Sequence, residues 1–189
     1  MDVQRWRVSG WRPNPFWLLR EMFGRLHASG RGIFVSDGGH LENTGIYQLL
    51  KRRCRTVIAV DASTDPGMSF DDLATLKRYA HLDLGVEIDI EVSGFQVDAD
   101  GLSRTHSAFG VIRYPAAGRQ PRCDGLLVVV KSSLTGDEDL EVRAYRDRAP
   151  TFPHEPLLDQ FFDERPFEAY RVLGKHAAEG ALGAGQSIF

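Results

Sequence analysis

One short string constrains the fold more than any other. Ile33-Phe34-Val35 is an apolar run of strand type, Asp37-Gly38-Gly39 breaks it, and helix-spaced residues follow at Ile46, Tyr47, Leu49, Leu50 and Cys54. A second apolar run, Val57-Ile58-Ala59-Val60, then ends at Asp61. Parallel strands need a crossover connection, commonly a helix, so a strand–helix–strand unit of this kind points to a layered α/β fold. Asp37 falls at the carboxyl end of the first strand, where open α/β sheets place their ligand sites. Gly38 and Gly39 give the turn the backbone freedom to present that carboxylate, and the helix beginning beyond them favours its ionised form. Asn43 is placed to cap that helix. Lys51, Arg52 and Arg53 crowd its last turn, where they complement the helix dipole, and with Arg55 they form a basic cluster.

The remaining pattern extends the same reading. Ser69 and Asp72 resemble a capping box opening a helix through Leu73, Leu76 and Ala80. Residues 86–92 alternate strictly and predict a strand with one acidic, wetted face. Phe109 to Tyr114 and Leu126 to Lys131 read as further strands, the second so apolar that it belongs in the middle of the sheet. A helix is expected around residues 139–148, a proline-punctuated loop after it, and a last helix over about residues 157–178. Residues 1–17 read as an extended arm, 18–28 as an amphipathic helix and 180–189 as a flexible, glycine-rich tail. The 189 residues suit one domain with its own core.

Composition removes several classes of function. A formal net charge of −3 implies no general affinity for nucleic acid. Only two cysteines occur, Cys54 and Cys123, so a disulfide scaffold is not expected and a reducing compartment is the easier reading. No apolar run approaches the roughly 20 residues that cross a bilayer, and the first residues form no signal-peptide core. The expected location is cytoplasmic or peripheral to a membrane.

Each candidate site residue has a structural reading beside its chemical one. Asp37 can orient a base or take a proton from a serine, or it can hold a turn. His40 and His154 can act as base or ligand, but the six histidines show no metal spacing and a hydrogen-bonded structural role is the better reading. Asp61 and Asp65 can bind a metal or share acid–base work, or simply build a turn before Pro66-Gly67, which is the better reading. Asp98 and Asp100 read as a turn, since the downstream acid of a calcium loop is missing. The basic cluster can compensate a helix end or attract anionic lipid headgroups. Trp6, Trp11, Phe16 and Trp17 suggest an interface with another segment or a membrane. Neither metal nor organic cofactor is expected.

The string from Val35 to Tyr47 resembles the aspartate motif of patatin-like phospholipases. Arg52–Arg55, Asp61-Ala62, Gly85–Asp89, Lys131–Gly136, Phe152-Pro153-His154, Asp159–Glu164 and the approach segment Asn14–Arg25 are similar, in order, to the C-terminal region of large bacterial patatin-like proteins. The resemblance covers nearly the whole chain. It implies a three-layer fold and hydrolysis of a phospholipid or other acyl ester through a serine–aspartate dyad. In that scheme Asp37 is the acid, Gly38 and Gly39 are its turn, and Asn43 is the motif's downstream asparagine. A nucleophile in Gly-x-Ser-x-Gly is absent from these residues. The implied partner is therefore a preceding nucleophile-bearing segment, and the chain alone is expected to be inactive. The rival reading is a non-catalytic interaction module, or a remnant in which Asp37 only holds a turn.

Overall fold

The computed structural model describes residues 42–156 and 163–185, together with Phe16, Leu19 and residues 22–25. The chain divides into two compact units, Met1–Asp37 and Gly38–Phe189. In the first, Phe16, Leu19 and Met22 are helical, so Phe16 does not belong to an extended arm. Phe23 N–H donates to the Leu19 carbonyl at 3.1 Å, and Gly24, at φ 62°, follows it. The helix expected over 18–28 therefore stops by Gly24. The remaining residues of the arm, the strand expected at Ile33–Val35, and Asp37, Gly38, Gly39 and His40 lie outside the described residues.

The second unit is a mixed α/β structure built on an open four-stranded sheet. In chain order its elements are α1 (Ile46–Lys51), β1 (Thr56–Asp61), α2 (Asp71–Leu84), β2 (Glu87–Ile90), a 3₁₀ turn at Ser93–Phe95, β3 (Ser107–Tyr114), β4 (Cys123–Lys131), α3 (Leu140–Arg146) and α4 (Glu164–Gly185). The strands lie in the order β1-β4-β3-β2. β1 and β4 are parallel, while β4–β3 and β3–β2 are antiparallel. β4 is central, as its unbroken run of apolar residues requires: Leu127 and Val129 face one layer, Val128 and Val130 the other. Gly110 in β3 lets β2 approach closely, since a Cβ there would stand 2.6 Å from Ile90 Cβ and 2.7 Å from the Asp89 carbonyl oxygen.

On one face, α1 and α2 pack over Val57, Ala59, Leu127, Val129, Ile112 and Ile88. Leu73, Leu76 and Ala80 form the buried stripe of α2, at the spacing an amphipathic helix requires. Each leucine or isoleucine buried this completely stabilises the fold by about 2 kcal/mol relative to an exposed one. On the second face, Ala177 and Ala181 of α4 cover Val128 and Val130. α4 runs unbroken to Gly185, so Gly180–Gly185 are helical and not part of a loose tail. A third cluster joins α3 to α4 through Leu134, Val142, Phe152, Ala169 and Leu173.

Two expected caps are replaced by neighbours. α1 begins at Gly45 without a side-chain cap from Asn43. The buried Glu42 carboxylate takes the Thr44 N–H at 2.8 Å and the Tyr47 N–H at 3.3 Å, while exposed Asn43 donates to Asp72 at 2.8 Å. Likewise no Ser69–Asp72 box opens α2. Asp65 accepts from the Ser69 N–H at 2.9 Å, the Ser69 hydroxyl at 3.0 Å and the Phe70 N–H at 3.0 Å. In each case the nearest polar residue does not cap the helix, and a more distant carboxylate folds back onto the turn.

Candidate functional site

The carboxyl ends of β1 and β4 meet at one edge of the second unit. Asp61 and Lys131 are register partners there, and the Lys131 ammonium donates to Asp61 Oδ2 at 2.9 Å. Lys131 is only 1% exposed. Its Nζ also lies 3.4 Å from Ser63 Oγ and 5.6 Å from the centre of the Phe70 ring. Burial opposes the charge on Asp61, but hydrogen bonds from Ser63 and Lys131 outweigh it and hold the carboxyl below its usual range. Burial opposes ionisation of Asp65 as well, and the backbone donors at Phe70 and Ser69 more than offset it.

His154 joins this edge from the loop after α3. Its Nδ1 accepts the Asp65 N–H at 3.3 Å, so that nitrogen carries no proton. Burial, reinforced by the Lys131 charge, pushes its imidazole below the usual range. His154 thus serves a hydrogen-bonded role beside Asp65, in keeping with its structural reading. Asp98 builds a turn, its Oδ1 accepting from the Asp100 and Leu102 N–H groups, each at 2.9 Å.

Two depressions reach Asp61 from opposite faces of the sheet. A polar cleft of about 290 Å³ includes Asn43, Ser63, Asp65 and Asp72. An apolar groove of about 970 Å³ runs along the second face between the sheet and α4, with Ile58, Val60, Phe109, Val128, Leu173 and Ala177 in its walls. At its polar end stand Asp61, Lys131 and Ser132. The Ser132 hydroxyl is buried and has no hydrogen-bond partner among the described residues. Such a group is costly to leave unpaired, and it faces a space that something else can fill.

The basic cluster lies at the other end of β1, about 17 Å away along six residues of strand. Arg53 is committed internally: its guanidinium donates to the carbonyls of Pro115 at 2.7 Å and Pro121 at 3.0 Å and stacks on Tyr114. Arg52 donates to the Gln48 carbonyl at 2.7 Å. Lys51, Arg52 and Arg55 are exposed.

Lys131, Ser63 and Ser132 were not singled out by the sequence reading. The signals are the ends of the apolar β1 and β4 runs, but a lysine closing a buried strand does not disclose which carboxylate it meets. Comparison with protein-family profiles, curated proteins and solved structures finds no match to this chain. No helix among the described residues is long and apolar enough to cross a membrane.

Proposed function

We propose that the chain is the acid-bearing part of a patatin-like lipid acyl hydrolase, a phospholipase or esterase of three-layer α/β build, with Asp37 as the acid of a serine–aspartate dyad. The observation that carries this reading is the apolar groove with its polar end at Asp61, Lys131 and Ser132. A long channel lined by aliphatic side chains and closed by a few polar groups suits one acyl chain with its ester at the mouth. The mixed α/β sheet with its parallel pair β1–β4 gives the reading a sheet end at which such a site can lie. The nucleophile comes from a preceding segment, and a phospholipid or other acyl ester is the substrate. Exposed Lys51, Arg52 and Arg55 supply peripheral contact with anionic headgroups, and the protein is placed in the cytoplasm or at a membrane surface.

The test starts from the coding sequence upstream of Met1. If it encodes an in-frame Gly-x-Ser-x-Gly, the longer product should label with a fluorophosphonate probe and hydrolyse acyl esters, and Asp37→Ala should abolish turnover. A longer product that neither labels nor turns over, or one whose activity survives Asp37→Ala, ends this reading. One observation favours the rival interaction module: Ile58 and Val60, 60% and 75% exposed, give β1 an uncovered apolar face of the kind a binding partner buries.

A further inference from the structure

At the same end of the sheet, three segments distant in sequence converge on a second polar centre. His106 precedes β3, Thr135 to Glu138 form the turn between β4 and α3, and His176 projects from α4. His106, Asp137 and His176 each bring one nitrogen or oxygen atom to a place where all three lie within 4.8 Å of one another. His176 Nε2 is 3.1 Å from Asp137 Oδ1. The two imidazoles meet edge to face, centres 5.1 Å apart.

The orientation of His106 is built in. Its Nδ1 lies 3.0 Å from the hydroxyl of fully buried Ser133. That contact turns Nε2 towards Thr135 Oγ1, at 2.9 Å, and towards the other two groups. A fixed hydrogen bond on one ring nitrogen is how proteins aim the other at a metal.

A buried carboxylate faces the same centre. The Glu138 side chain is 1% exposed, and His106 is the only basic group within 4.0 Å of its carboxylate among the described residues, with Nε2 at 3.8 Å. Glu138 accepts the N–H groups of Thr135 and Gly136, the latter at 2.9 Å, and those bonds hold its carboxylate beside His106.

We propose that His106, Asp137 and His176 form a divalent transition-metal site, best suited to Zn²⁺, with the buried carboxylate of Glu138 beside His106. Two imidazoles and one carboxylate make a borderline nitrogen–oxygen set that favours zinc over calcium or magnesium. Asp137 is exposed and His176 half-buried, so side-chain rotation can draw the three atoms into a shell of about 2 Å bonds. The adjoining cavity, about 340 Å³ and bordered by Arg104 and Glu179, leaves the fourth position open to water. Occupied, the site pins α4 to the start of β3. It stands independently of the hydrolase reading.

The test titrates the chelator-stripped 189-residue chain with ZnCl₂, and with CoCl₂ as a spectroscopic reporter. Expected are one tight equivalent, the visible spectrum of four-coordinate cobalt with nitrogen and oxygen ligands, and a higher melting temperature with zinc. His176→Ala and Asp137→Asn should each weaken binding at least about tenfold, while His81→Ala, on the exposed side of α2, should leave it unchanged. Asp137 lies in an exposed turn, so its variant tests the site even if His176→Ala perturbs packing. The proposal is overturned if no stoichiometric binding occurs, if both variants bind as the parent does, if His81→Ala weakens binding as they do, or if a thiolate charge-transfer band places the metal at Cys54 or Cys123.

Discussion

Asp61 and Lys131 stand opposite each other in the parallel register of β1 and β4, and their side chains meet at 2.9 Å with the ammonium sealed from water. Removing one member strands the other. Asp61→Asn should cost about 3–5 kcal/mol, because it leaves a buried, uncompensated lysine. Lys131→Met in the same chain should recover much of that loss, since an uncharged pair of similar volume needs no countercharge. Urea denaturation of the parent, both single variants and the double variant checks this; additive losses would show the pair to be uncoupled.

Asp61 also sets an acid limit. Its folded pKa is lowered, so the stability it contributes is fully present above its unfolded value of about 3.9. That stability drains away as pH falls through the lower folded value. The fall in melting temperature on acidification below about pH 4 should be shallower in Asp61→Asn than in the parent.

His154 acts nearer neutrality. Burial and the Lys131 charge depress its folded pKa, so the folded state resists a proton that the unfolded chain accepts. Stability from this source is complete above about pH 6.5 and declines below it. His154→Gln should flatten that part of the stability–pH profile, and an unchanged slope would remove His154 as its cause.

How much of this was readable beforehand follows from the range of the interactions. β4 declared itself through an unbroken apolar run, because it is covered on both faces. α2 declared itself through Leu73, Leu76 and Ala80, because their spacing is local. The Asp61–Lys131 pair joins residues 70 positions apart, and the Asp137–His176 contact spans 39. No local spacing rule reaches so far, which is why a scan for adjacent metal ligands passed over the histidines. The tail was misjudged for another reason. Its glycines suggested looseness, yet Ala181 among them packs on the sheet and carries the helix onward. Asp37, on which the patatin-like resemblance turns, lies outside the described residues.

The glycines themselves give opposite expectations. Gly174 lies in α4 with no atom within 4 Å of where a Cβ would stand, so Gly174→Ala should stabilise the chain by about 1 kcal/mol through helix propensity alone. Gly110→Ala should destabilise by about 1–3 kcal/mol, since the added carbon meets β2 backbone and Ile90. Thermal melts of both variants decide the matter, and equal signs would refute it.

The uncovered face of β1 predicts behaviour in solution. Val60→Lys should change the stability of the chain by no more than about 0.5 kcal/mol, because Val60 is 75% exposed. It should nonetheless suppress concentration-dependent self-association of the parent chain, measured by sedimentation velocity.

α4 is a single rod of 22 residues, about 33 Å from end to end. Leu173 and Ala177 form part of the groove wall, and His176 sits between them in sequence with its side chain on the polar centre. One rigid helix therefore walls the apolar groove and carries a side chain of the polar centre, so neither can be rebuilt without regard to the other.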